Sequence, residues 1–584
     1  MSSGEFLPEQ KRYLEGFAAG VQAGRAGGRG ATPAAAPLPA GPDAAHHAAM
    51  ARTEAEGKKL VDPEKWKREE HPFDGYRRLE GQAERNEYPK PADNFRWRFY
   101  GLFYLAPNQP YYMLRLRMPN GVLTSRQFAG IADIAEKYGA GYAHVTTRAN
   151  IQVRGIEAKN TTNVLEAVQD LGLTSRGSGA DNIRNVTGDA TAGLAPTELL
   201  DTRPDARRWH FHILNDRSLT GLPRKFNVGF DGGGPIPTLE ETNDIAFTAV
   251  EVAEGAAVPA GVWYRLGLGG ITGHKDLARP TGIVLKPADS TKVADAIVRV
   301  FIDNGDRTNR AKARMKYVLD AWGVDKFVAA VEEKLGRKLD RVDEAHVLPR
   351  PPQHRQAHVG WHAQKQAGLF YAGVALPVGR LEIPQMHALA AAAEEFGDGE
   401  LRMTVWQNLL VPHIVETDRA AFEARMNGAG LALAVSPLRA GLVACTGSNG
   451  CKLANARTKE MAMTIAEHCD PRVALDTPIN IHLTGCPNSC AQHYIGDIGL
   501  VGARVDAGGE ETVDGYNVVI GGGYGADAAI GRDFAQEIKA EDTPAFIEKL
   551  LAAYMAHRAN AEETFREFAA RHDDEGLRKL VGLA

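Results

Sequence analysis

A chain of 584 residues is too long for one hydrophobic core and should divide into several domains. Its 44% hydrophobic and 24% charged residues are those of a globular protein, and Lys+Arg 68 against Asp+Glu 73 leaves −5, which offers nucleic acid no basic face. No run of about eighteen apolar residues occurs, so no membrane-spanning helix is expected.

In chain order, the N-terminal MSSGEFLPEQKRYLEGFAAG has neither the apolar core of a signal peptide nor an Arg-Arg pair. Leu14, Phe17 and Val21 stand at helical spacing, which predicts a short amphipathic helix over residues 1–20. Residues 22–57 are dense in Ala, Gly and Pro and read as a linker, so that 1–60 form a disordered tail. Residues 61–105 form an arm. Charges alternate with Trp66, Phe73 and Tyr76 there, which suits a solvated strap lying over a folded body.

Met113–Met118 reads as a strand with Arg115 and Arg117 on one face. Pro119-Asn120-Gly121 makes a turn. A helix from about Ser125 carries Phe128, Ile131, Ala135 and Tyr138 on one face and stops at Gly139. A second strand is expected over His144–Val153. The unit recurs without a gap: Pro119, Gly121 and Leu123 return as Pro377, Gly379 and Leu381. The helix face returns as Met386, Leu389, Ala393 and Phe396, and Thr146 and Asn150 return as Thr404 and Asn408. Such a repeat means two homologous half-domains packed face to face, at 106–176 and 357–435. Between and after them lie two further lobes, 177–350 and 436–584. Pro223-Arg224-Lys225 is matched with Pro478-Ile479-Asn480, and Asp244-Ile245 with Asp497-Ile498. The fold class is α+β, an internally duplicated, three-lobed chain with approximate two-fold symmetry and a cofactor at its seam.

Four of the five cysteines cluster in the last lobe, as Cys445-x5-Cys451 and Cys486-x3-Cys490. So few cysteines, so placed, suggest a metal site in a reducing cytoplasm rather than a disulfide framework. Four thiolates suit an iron–sulfur cluster. Zinc is the alternative, although the five residues between the first pair exceed its usual two to four. Gly447–Gly450 and Pro487–Ser489 can turn backbone N–H groups toward the sulfurs. Cys469 stands apart as a buried thiol. The first-copy counterpart of the cysteine stretch is taken as Gly179–Gly188.

Thr484-Gly485-Cys486-x3-Cys490-x6-Asp497-Ile498-Gly499-Leu500, with Cys445-x5-Cys451 upstream, resembles the signature of the sirohaem-dependent nitrite and sulfite reductases. The resemblance spans roughly residues 90–570. It implies paired ferredoxin-like half-domains, two α/β lobes, a 4Fe–4S cluster on Cys445, Cys451, Cys486 and Cys490, and Cys490 bridging to the sirohaem iron. By the same resemblance Arg115, Arg184, Lys225 and Asn227 face the open side of that iron, while His144, Arg148, Gln152 and Arg224 hold the macrocycle's carboxylates. Cationic groups are what a polycarboxylate cofactor and an oxyanion substrate require. Lys225 and Asn227 lie two apart, so a strand would point both the same way.

Family members acting on sulfite tend to carry Lys-x-Lys in this strand and nitrite reducers Lys-x-Asn. Here the residues are Lys225-Phe226-Asn227, and Asp201-Thr202-Arg203-Pro204 also resembles the nitrite branch. The charge argument agrees, since nitrite is a monoanion and sulfite largely a dianion near neutral pH. The glycines at 232–234, 269–270 and 521–523 lack the G-x-G-x-x-G spacing of a dinucleotide site and read as points of close backbone approach to a cofactor. Electrons would then come from a separate carrier, which the resemblance makes reduced ferredoxin or flavodoxin. The expectation is a cytoplasmic, monomeric, assimilatory nitrite reductase forming ammonium, with no nucleic-acid or membrane partner. Three alternatives are an assimilatory sulfite reductase, a cobalamin-pathway oxygenase on the same scaffold, and a non-catalytic iron–sulfur electron carrier.

Overall fold

The computed structural model describes residues 41–508 and 511–582. The helix expected over residues 1–20, and the linker as far as residue 40, fall outside them. Four five-stranded sheets organise the described chain in two related pairs.

The first pair belongs to the repeat. Thr124 accepts a hydrogen bond from the Gln127 N–H while Gln127 accepts one from the Thr124 N–H, and this capping box starts the helix Ser125–Tyr138. Glu382 and Gln385 start the helix Ile383–Phe396 in the same way. The two helices pack on each other, and Phe128, Ile131 and Ala135 share one continuous core with Met386, Leu389 and Ala393. Each copy also lends a strand to the other. Val122–Thr124 pairs with Glu400–Met403, and Arg380–Glu382 pairs with Tyr142–Thr146. The turn before each lent strand is tight, with Gly121 at φ 70° and Gly379 at φ 75°. A Cβ on Gly121 would lie 2.5 Å from the Met403 carbonyl oxygen, and one on Gly379 would strike that of Val145. Both conformation and close approach therefore demand glycine.

The single strand expected over His144–Val153 is a hairpin, Tyr142–Thr146 antiparallel to Asn150–Ile156. Ala149, at φ 45°, reverses the chain, and the Asn150 amide donates to the Leu116 carbonyl to hold the corner. An uninterrupted period of two concealed the turn, because no Gly or Pro marks it.

In the first lobe Val228–Asp231 lies parallel between Thr187–Gly188 and Ile245–Val252, and Gly261–Leu268 and Arg279–Leu285 extend the sheet antiparallel. The second lobe repeats this with Leu442–Ala444, Ile481–Thr484, Ile498–Gly508, Glu511–Ile520 and Arg532–Lys539. Val228 faces Ile245 as Ile481 faces Ile498, so Asn227, not Lys225, is the counterpart of Asn480. The backbone N–H of each donates a 2.8 Å bond to a buried carboxylate, Asp244 or Asp497. Matching the prolines misled by two residues, because turns vary in length while a ladder does not. The first-copy counterpart of Cys445 is likewise Asp189, one residue beyond the expected Gly179–Gly188, since Thr187 faces Gly229 as Val443 faces His482.

Two further expectations are corrected. Residues 44–55, placed in a linker, form the helix Ala44–Ala55, which buries His46, Ala49 and Met50 against the helix Ser290–Asn304. Alanine favours a helix once a packing partner is present. The arm is no solvated strap. Glu64 and Lys67 of the helix Asp62–Glu69 are buried, Glu64 is paired with Lys67 and Arg307, and Lys67 lies 3.6 Å from Asp181. Such charges survive burial only because they neutralise one another across distant segments. The paired glycines serve their own lobes: a Cβ on Gly270 would meet the Glu241 carbonyl, and one on Gly522 that of Gly496.

Candidate functional site

Cys445 leaves the end of the strand Leu442–Ala444, its N–H donating to the Leu483 carbonyl at 3.0 Å. Its sulfur accepts N–H bonds from Gly447 at 3.4 Å and Gly485 at 3.2 Å. Gly447 has φ 68°, and a Cβ there would lie 2.7 Å from Thr458 N. Cys486 follows the strand Ile481–Thr484, and its sulfur accepts from the Asn488 amide at 3.5 Å. Cys490 is the exposed member, and its carbonyl accepts from the Thr147 hydroxyl of the first half-domain at 2.9 Å. Burial, then the charge of Cys490, pushes the Cys445 thiol up to about 11. Burial likewise raises Cys486, with Cys490 and Cys451 adding to it. The four sulfurs thus share one field. Cys469 is buried elsewhere, 1% exposed, as expected.

The predicted basic residues converge on this cage from the other copy. Arg115 faces Gln152, and Gln152 faces His144, in one row across three strands. Arg148 occupies the hairpin tip and donates to the Asn243 side chain at 2.6 Å. Lys225 and Asn227 precede the strand Val228–Asp231 rather than lie within it, yet Phe226 between them bridges Ile183 and is fully buried. That bridge keeps the chain extended, with Lys225 and Asn227 half-buried on either side of Phe226. It also ties Lys225 to Arg184, whose guanidinium donates to the Ser178 and Ala180 carbonyls. Cys490 and Arg184 both act on Lys225, and Cys490 acts on Arg115 as well, so these groups occupy one space. Burial pushes the Lys225 ammonium down to about 7, with Arg314 adding to it. Burial brings Arg148 and Arg224 down to about 10.

The charge in this space does not balance. Among the described residues, Asp244 acts on Arg148, and Asp181 on Arg184 and Arg224. Arg310, Lys67 and, at 3.8 Å, Arg224 engage Asp181, and Arg314 engages Asp244. Both ring nitrogens of His144, and Nε of Arg148 and of Arg184, are buried without partners. So many unpaired cations and donors would be costly unless a polyanionic group fills the space between them. The donor set fits such a group.

A family model described as the nitrite and sulphite reductase 4Fe-4S domain matches residues 179–339 and 439–584, and one described as the nitrite/sulfite reductase ferredoxin-like half domain matches 106–171 and 362–429. This chain belongs to the nitrite and sulphite reductase family. It is 36% identical over 471 residues to the ferredoxin--nitrite reductase of Synechococcus elongatus, covering 79% of this chain and 90% of that one. The chloroplastic ferredoxin--nitrite reductase of Zea mays is 34% identical over 482 residues, covering 80% and 83%. The structure of the Mycobacterium tuberculosis NirA protein superposes with a TM-score of 0.82 at 28% identity, covering 90% of this chain and 99% of that one.

In this member of the family both lobes match the 4Fe-4S domain, but only the second carries the four clustered cysteines. Sequence reasoning did not single out Arg154, Lys459, Asp181, Arg314 or Arg355. Arg154 stands two beyond Gln152 on the same strand, and that spacing was the available signal. Lys459, Arg314 and Arg355 carried none, because each is defined by a partner far along the chain. No described helix is long and apolar enough to cross a membrane.

Proposed function

We propose that this chain reduces nitrite to ammonium at a sirohaem coupled to a 4Fe–4S cluster, with reduced ferredoxin as the electron donor. The balance is six electrons and eight protons per nitrite, giving ammonium and two waters. When bound, the cofactor pair delivers single electrons to a ligand held on iron. Cys445, Cys451, Cys486 and Cys490 would hold the cluster, and Cys490, the exposed member, would be the ligand that also serves the sirohaem. His144, Arg148, Gln152 and Arg224 anchor the macrocycle's carboxylates. Arg115, Arg184 and Lys225 bind the substrate anion and stabilise charge at its oxygens, Lys225 also delivers protons there, and Asn227 donates an uncharged hydrogen bond. The boundaries at 106–176, 177–350, 357–435 and 436–584 divide these tasks. The enzyme is proposed to work as a monomer, in the cytoplasm.

The observation that carries this reading is the surplus of unpaired cations facing Cys490, with asparagine rather than a second lysine at position 227. Replacing a cation at contact distance by a neutral group changes anion binding by about a few kcal/mol at an effective dielectric of about 20. That favours the monoanion nitrite over sulfite. With reduced methyl viologen as donor, kcat/KM for nitrite should exceed that for sulfite, and the opposite order would make this chain a sulfite reductase. Asn227→Lys should raise the sulfite-to-nitrite ratio at least tenfold. An unchanged ratio would remove Asn227 as the discriminator.

A further inference from the structure

We propose that Arg154 and Lys459 are the buried cations that balance the iron–sulfur cluster and set its reduction potential, an inference that rests on the cluster assignment above. Arg154 leaves the first half-domain and enters the loop between Cys445 and Cys451 at both ends. Its Nη2 donates to the Thr446 hydroxyl at 2.6 Å, and its Nη1 approaches the Gly450 carbonyl at 3.5 Å. The residue is 2% exposed. A Cβ on Gly450 would lie 2.5 Å from that Nη1, so the loop is shaped to admit the guanidinium. Lys459 lies behind Cys445, its Nζ donating to the Val378 and Ala444 carbonyls. Every hydrogen-bond partner of both cations is neutral.

The other lobe supplies an internal control. The helices Arg203–Asn215 and Lys459–Cys469 occupy equivalent places, with Thr202 and Thr458 at their N-caps. Thr202 accepts from the Asp189 N–H, and Thr458 donates to the carbonyl of Cys445, the counterpart of Asp189. Arg203 is the counterpart of Lys459. Asp201 neutralises it through bonds of 3.0 and 2.8 Å. In the cluster lobe the position of Asp201 is held by Arg457, so Lys459 has no such carboxylate. The lobe that holds metal has kept its buried cation unneutralised.

A buried positive charge lowers the energy of whichever state nearby is more negative. Reduction transfers one electron from a reduced ferredoxin-type carrier to the cluster, with no bond made or broken, and the cage becomes one unit more negative. Arg154 and Lys459 therefore raise its potential, which favours uptake of the electron.

The test uses the purified holoenzyme. Iron and acid-labile sulfide are measured first, and the cluster is then titrated with dithionite and mediators under EPR detection. Arg154→Gln and Lys459→Gln should each lower the one-electron reduction equilibrium about tenfold, which is about 59 mV. The double variant should fall further, and Arg203→Gln should leave the potential in place. Fully loaded Gln variants at the wild-type potential, or an equal shift in Arg203→Gln, would overturn the proposal. Where a Gln variant loses its cluster, Arg154→Lys and Lys459→Arg decide. Retention of cluster and potential supports the role of charge, and loss of the cluster in these too means that side-chain shape, not charge, is required. Wild-type protein without iron and sulfide would strike the cluster assignment itself, so metal analysis separates the two failures.

Discussion

At the scale of single residues, the site pairs groups that are unstable alone. Lys225 is a buried lysine whose ammonium is depressed to about 7, by burial first and by Arg314 next. Its positive charge, and the anion affinity it confers, is therefore present below that value and lost as pH rises through it. A bound polycarboxylate raises the value, so the decline sets in at or above pH 7. Spectroscopic titration should show the Kd for nitrite rising with pH in this range, and Lys225→Arg should flatten the dependence, because a guanidinium stays charged. A pH-independent Kd in the wild type would show that Lys225 does not contribute charge to binding. The sulfur of Cys445 already accepts two backbone N–H bonds, so Cys445→Ser should leave the fold standing and abolish iron and sulfide retention. Full metal content in that variant would remove Cys445 from the ligand set.

At the scale of elements, the two copies are locked by the strands that they exchange. Those strands require Gly121 and Gly379 to turn at positive φ beside the other copy's backbone. Gly121→Ala and Gly379→Ala should each cost about 1–3 kcal/mol, read as a lower apparent melting temperature. A melting temperature at or above the wild type's would contradict the close approach. The buried pair Arg314–Asp244 at 2.6 Å, and the half-buried Arg355 on the buried Asp497 at 2.9 Å, are the lobe-scale equivalent. Each carboxylate also accepts the backbone N–H that starts its neighbouring strand. Arg355→Met should cost about 3–5 kcal/mol by leaving Asp497 buried and unpaired, and the loss should be read in the cluster lobe before the first lobe.

At the scale of the molecule, neither copy is complete. The sheet built on Tyr142–Thr146 ends on Arg380–Glu382, and the one built on Glu400–Met403 ends on Val122–Thr124. Fragments 41–356 and 357–584 should therefore be insoluble or molten when made separately and should assemble when co-expressed. A cooperative melt for either fragment alone would contradict this.

Much of this architecture was legible in the residues. The helix Ser125–Tyr138 and its copy Ile383–Phe396 begin and end where caps and periodicity put them. The cysteine spacing pointed to a metal cage before any coordinates. Two of the misreadings share a cause. The Ala-rich segment 44–55 and the charged arm took their structure from what they pack against, Ser290–Asn304 for one and Arg307 with Asp181 for the other.

What consecutive residues determined by themselves was whatever short-range interactions decide: caps, periodicity, turns, the repeat and the ligand spacing. Only the tertiary structure decided which charges are neutralised and which are left facing the cage. Arg307 is neutralised by Glu64 from the far end of the chain, yet Arg154 reaches the loop between Cys445 and Cys451 and meets only neutral groups there. Compensation in a low-dielectric interior depends on which groups share a space, and groups from distant parts of the chain meet only after it folds.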